Sequence, residues 1–164
     1  MALVLGLTCL TSCSDFLNRQ PTNSGNADEA IATQRDAEVA INGMMFKMSS
    51  SSYYGRNFLL YGDAKGGDLT IYTNGRGNDN LYTFNHTPTS GTYQAFWSQI
   101  YDCIMQANNL IENIDKRQAD GNTALNYYKG EALSLRALFY FDLVRLYGLP
   151  YNYNKTSYGV PLVL

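Results

Sequence analysis

The sequence predicts an all-α fold, and three observations carry that reading. Apolar residues recur at helical spacing from Thr33 to about Ser49, from Thr92 to Ile114, and from Thr123 to Tyr147. The last two stretches are long and are separated only by the turn-forming Ala119–Asn122, so they read as an antiparallel helical hairpin. Between Ser50 and Gly91 the periodicity fades and Gly, Asn, Asp, Ser and Thr dominate. An irregular region of about 40 residues is uncommon in a compact domain unless it serves a function.

Bulk composition narrows the class. A length of 164 residues supports one modest core, and 45% hydrophobic with 16% charged residues excludes a disordered chain. A net charge of -2 supplies no basic surface, so nucleic acid is excluded as a partner. The aromatic content is weighted to tyrosine, 14 against seven Phe and one Trp. Tyrosine pairs an apolar face with a polar tip, which suits both sugar stacking and wet packing between helices.

At the amino terminus, residues 2–10 form an apolar run too short to span a bilayer but of the length of a secretory signal core. Leu10-Thr11-Ser12-Cys13 follows with the spacing of a lipobox, small residues preceding the cysteine whose thiol would take the lipid. Residues 1–12 are therefore expected to be a lipoprotein signal and Cys13 the lipid attachment site, although no Lys or Arg precedes the apolar run. Acyl chains on one residue anchor firmly, since each buried methylene contributes about 0.8 kcal/mol. Residues 13–27 read as a tether, and 28–164 as the folded body.

Within that body, Thr33 with Asp36 has the pattern of a capping box and opens the first helix. Its apolar set (Ala37, Ala40, Ile41, Met44, Met45 and Met48) is expected to form one buried stripe. In the irregular region, Phe58–Tyr61 and Leu69–Tyr72 could be a brief helix or extended pieces, and Asn80–Phe84 another extended piece. The second long helix carries Phe96, Trp97, Ile100, Tyr101, Ile104, Ala107, Asn108, Ile111 and Ile114. Trp97 is read there as core, and Cys103 as a small core residue. Thr123 is expected to cap the last helix and Gly148 to end it at the C′ position. Arg136 lies within the apolar band of that helix and needs a carboxylate or carbonyl on a neighbouring element. Asp142 and Arg145, three apart, are expected to pair on the surface.

Catalytic and metal chemistry finds little support. The lone His86 has no second His, Cys pair or Glu at zinc spacing, and no nucleophile elbow, P-loop or dinucleotide fingerprint occurs. No cofactor and no metal is expected. The acidic and amide residues of the irregular region invite calcium or sugar. The spacing departs from an EF-hand, whereas carboxylates, amides and a stacking ring suit vicinal hydroxyls. Asp63, Asp68, Tyr72, Arg76 and Asp79 are the ligand-binding candidates, set against a plain solvated loop. Asp63 with Asp68 is also the only local pair that could be asked to act as a glycosidase.

Several of these features together resemble the SusD/RagB family of outer-membrane nutrient-binding lipoproteins. The resemblance rests on Cys13 before Asp15-Phe16-Leu17-Asn18, on Asp36–Gly43, and on Phe96-Trp97 with Tyr101, Ile104, Asn108 and Ile111. Its most specific parts are the closing helix with Leu146-Tyr147-Gly148, Pro150-Tyr151 and Gly159-Val160-Pro161-Leu162. It implies tetratricopeptide-like helix pairs and a cell-surface lipoprotein, not an enzyme, that captures glycans or other nutrients. The partner it implies is a SusC-type TonB-dependent transporter, with the membrane reached through the lipid anchor. Family members usually run to several hundred residues, so this chain is expected to be an amino-terminal part of such a protein. The competing expectation is a helical scaffold lipoprotein that binds only protein partners.

Overall fold

The computed structural model describes residues 30–70, 72, 79–83, 87–89, 91–119, 121 and 123–164. The chain divides into two units, Met1–Ala30 and Ile31–Leu164, and the elements described all belong to the second. They are helical: α1 Gln34–Met48, α2 Asn57–Gly66, α3 Asp79–Tyr82, α4 Gly91–Ala119 and α5 Asn126–Tyr147. No strand occurs among the described residues, so the chain is all-α, as its periodicity predicts.

Helix α1 begins where the capping box places it. The Asp36 N–H donates to Thr33 Oγ1 at 3.2 Å and the Thr33 N–H donates back to Asp36 Oδ2 at 2.7 Å. The Thr33 hydroxyl, with the backbone N–H groups of Thr33 and Ala32, holds the Asp36 carboxyl below its ordinary value. Of the expected stripe, Ala37, Ile41 and Met44 are buried and Ala40 and Met48 pack partly against the core, but Met45 is exposed. Met45 lies about 100° round the helix from Met44, beyond the width that α4 and α5 cover.

Helices α4 and α5 form the hairpin at the centre, and α1 packs against both. The buried stripe of α4 runs through Tyr93, Phe96, Ile100, Cys103, Ile104, Ala107, Leu110, Ile111 and Ile114. Burial pushes the Cys103 thiol up to about 11, as expected of an inert core cysteine. Polar ties lock α1 to α4: Lys47 pairs with Asp102, and Gln99 Nε2 donates to Lys47 O at 3.0 Å.

Several local expectations give way to packing. Where Asn80–Phe84 could be an extended piece, Asp79–Tyr82 is one helical turn; Phe84 lies outside the described residues. Phe58–Tyr61 belongs to α2, which ends on Gly67 at φ 87, the left-handed conformation that glycine tolerates. Thr123 does not cap α5. The helix starts at Asn126 with Leu125 in the cap position, 1% exposed, while only the Thr123 backbone carbonyl accepts a hydrogen bond, from the Asn126 N–H. Burying leucine there outweighs a hydroxyl cap worth about 1 kcal/mol. Gly148 does end α5, but at φ -88 rather than left-handed. Glycine is needed for close approach, because a Cβ would lie 2.8 Å from Val144 O.

The segment after α1 is a tight knot, not an open loop. The N–H groups of Tyr53 and Gly55 both donate to Ser50 O, and that of Tyr54 donates to Met48 O at 3.1 Å. Gly55 fits because a Cβ would sit 2.6 Å from Ser50 O and closer still to Ser49 O.

Candidate functional site

The first turns of α4 and the last turn of α5 enclose an aromatic groove of about 570 Å³. Tyr93, Gln94 and Trp97 come from α4 and Leu146 and Tyr147 from α5, while Thr87 and Pro88 close it from the segment before α4. Trp97, expected in the core, is instead 37% exposed. Phe96 takes the stripe, and its successor is turned about 100° away, to the edge of the hairpin. There the Trp97 ring meets Tyr101 at 4.8 Å and stands edge-on to Tyr147 at 5.0 Å.

The floor is rigid. The Tyr147 hydroxyl donates to Tyr93 O, and Tyr93 packs edge-on against Tyr61 at 5.9 Å and Phe96 at 6.1 Å. Burial holds both Tyr93 and Tyr147 well above the ordinary phenol range, so they stay neutral donors and acceptors. Among the described residues the walls carry no carboxylate, ammonium or guanidinium. A mostly apolar, aromatic groove with an amide at Gln94 and a hydroxyl at Thr87 can stack a sugar ring and bond its hydroxyls.

A second cluster fixes the knot to α5. Asp142 is fully buried and accepts from the Tyr53 hydroxyl, from the Tyr54 hydroxyl at 2.8 Å, and from Arg145. The Arg145 guanidinium stacks on Phe58 at 5.2 Å and Phe141 at 4.7 Å. The expected Asp142–Arg145 pair therefore exists, but its carboxylate is inside rather than on the surface. The buried charge of the closing helix is Asp142, and the half-buried Arg136 instead donates to Asn108 Oδ1 at 2.8 Å. The signal that could have found the cluster is an aspartate set among Phe139, Phe141 and Leu143, with a tyrosine pair far upstream to satisfy it.

This cluster makes stability sensitive to alkali. Burial first, and then the bond to the Asp142 carboxylate, push Tyr54 from 10.0 up to about 12, and move Tyr53 in the same direction. A raised phenol contributes stability that is intact below the unfolded value of 10 and is lost as pH climbs through the folded value. Melting temperature followed by circular dichroism is expected to be flat from pH 7 to 9 and to fall steadily between pH 10 and 12. A flat profile to pH 12 would contradict the neutral-tyrosine geometry.

The other sequence candidates lie elsewhere. Asp63 is exposed on α2, Asp68 follows the Gly67 cap, and Tyr72 is 98% exposed. Asp79 opens α3, while Cys13 and Arg76 lie outside the described residues. None of the described ones lines the aromatic groove. Among the described residues no group of three or more His, Cys, Asp or Glu could hold a metal, and no helix is long and apolar enough to cross a membrane.

Comparison with known proteins follows the same direction. Residues 15–163 match a SusD-like family model described as starch-binding associating with outer membrane. SusD-like protein P2 of Formosa agariphila is 37% identical over 91% of this chain, and SusD-like protein P38 of the same organism 27% over 98%. A SusD-like protein of Bacteroides ovatus is 28% identical over 89%. The chain spans 30%, 29% and 27% of the lengths of these curated relatives. No solved structure gives a significant match. With nearly its whole length matched, the chain belongs to the SusD-like family.

Proposed function

We propose that a protein carrying this chain captures glycans at the bacterial surface and passes them to a SusC-type TonB-dependent transporter, without chemistry of its own. Cys13 is the proposed lipid attachment, with residues 1–12 as its signal and 13–27 as the tether. The observation that carries the reading is the groove around Trp97: an exposed indole beside Tyr101 and Tyr147, with walls that are uncharged among the described residues. Its family's description as starch-binding and outer-membrane-associated supports the same reading. Asp63, Asp68 and Tyr72 offer a further exposed polar and aromatic surface for such contacts.

The part of the tryptophan emission that Trp97→Phe removes reports directly on the groove. Titrating the full-length protein with soluble starch, and then with a panel of neutral and acidic polysaccharides, is expected to shift that emission. Trp97→Ala is expected to weaken binding roughly 10-fold or more, since truncating an aromatic at the centre of a binding site costs about 2 kcal/mol or more. No shift with any glycan, and retention unchanged in the variant, would remove this groove from glycan capture.

The alternative is a helical scaffold that binds protein only. It is favoured by the exposed apolar residues on the outer side of α5, Leu133, Phe141 and Val144. Pull-down of the transporter with no glycan retained would select it. Labelling with an alkyne fatty acid, abolished in Cys13→Ala, checks the anchor.

A further inference from the structure

The last residues of the chain form a strap across the α4–α5 hairpin. It has no regular hydrogen-bonding of its own and is held by side chains that grip its backbone. The Tyr101 hydroxyl donates to Pro161 O at 2.7 Å, and Asn108 Nδ2 donates to Val163 O at 2.8 Å. The Tyr140 hydroxyl accepts from the Val163 N–H at 2.7 Å and lies 2.9 Å from Val163 O. Arg136, bonded to Asn108 Oδ1, fixes that amide with its NH2 toward Val163. At its near end Val160 packs against the core. A segment held by a few bonds that water can replace opens locally at low free energy, and amide hydrogen exchange reads that opening.

Tyr101 touches both the strap and the groove. Its ring lies against Trp97, one helical turn earlier, and its hydroxyl holds Pro161. The phenol is rigid, so fixing the ring fixes the direction of the hydroxyl. We propose that Tyr101 couples the Trp97 groove to the strap, so that a ring laid on Trp97 tightens the attachment at Pro161 and Val163. This rests on the glycan reading only for the identity of the ligand. By reciprocity, anything that holds the strap down raises affinity at Trp97 by the same factor.

The Val163 amide is the reporter, and its hydrogen exchange can be followed without any ligand. Trp97→Ala is expected to raise Val163 exchange about fivefold or more. Tyr101→Phe, which keeps the ring and removes the bond to Pro161, is expected to raise it too, and the double variant is expected to exceed Tyr101→Phe by nothing. Unchanged exchange in Trp97→Ala, or effects that multiply in the double variant, would overturn the coupling. The reverse arm covers a poorly folded Trp97→Ala: Tyr140→Phe loosens the strap without touching the groove. It should increase acrylamide quenching of Trp97, and should fail to do so in a Tyr101→Phe background; equal quenching throughout counts against the proposal. If the variants couple but no polysaccharide perturbs Trp97, the glycan reading falls and the coupling stands. If starch or another glycan perturbs Trp97 while the variants are independent, the reverse holds.

Discussion

Replacing Asp142 by Ala should destabilise the helical unit by about 3–5 kcal/mol, more than any other single polar substitution, because it empties the centre of a closed polar cluster. Asp142 has no exposed surface and is the shared acceptor for Tyr53, Tyr54 and Arg145. Truncation leaves the Tyr53 hydroxyl, on a fully buried residue, without its acceptor, and strands the inner side of the Arg145 guanidinium. Asp142→Asn keeps an acceptor oxygen and the volume, so it should lose less, about 1–3 kcal/mol. Tyr53→Phe removes one donor and leaves the others, and should cost about 1–2 kcal/mol. Chemical denaturation of the three variants checks the order. Equal losses in Asp142→Ala and Asp142→Asn would mean that charge, not hydrogen bonding, holds the cluster.

Phe96→Ala should cost a similar amount, about 3–5 kcal/mol, for a different reason. Phe96 is fully buried and supports a ring of aromatics: Phe58 at 6.0 Å, Tyr61 at 6.2 Å and Tyr93 at 6.1 Å. The cavity left by its loss cannot collapse without shifting α2 toward α4. Tyr93 floors the aromatic groove, so the same variant should also broaden and red-shift the emission of Trp97. A loss under about 1.5 kcal/mol would show that the site repacks freely, in the manner of a volume-conserving core exchange.

What could be read from the residues, and what could not, divides by the distance over which the deciding interaction acts. The α1 start was legible because Thr33 and Asp36 lie within one turn, and the α4 stripe because its periodicity is internal to the helix. Thr123 misled because its rival, Leu125, is decided by burial against other helices. Trp97 misled because its spacing to Ile100, Tyr101 and Ile104 suggested a shared face, whereas it stands one residue, about 100°, round from the buried Phe96. The partners of Asp142 were hidden in the same way, since Tyr53 and Tyr54 lie 89 and 88 residues upstream. Arg136, by contrast, announced a need for an oxygen partner, and Asn108 on the facing helix meets it.

The same separation bears on the order in which the unit assembles. The hairpin of α4 and α5 closes a short turn, whereas joining Tyr53 to Asp142 closes a loop of 89 residues and bears a larger entropy cost. Local contacts form early and distant ones late, so the Ser50–Asn57 knot is expected to dock onto a hairpin already in place. Stopped-flow kinetics of Tyr53→Phe should then show faster unfolding with little change in the folding rate, a φ-value near zero. A φ-value near one would make the knot part of the nucleus. On the expected order, the tyrosine pair acts as a latch that governs how long the native state lasts rather than how fast it is reached.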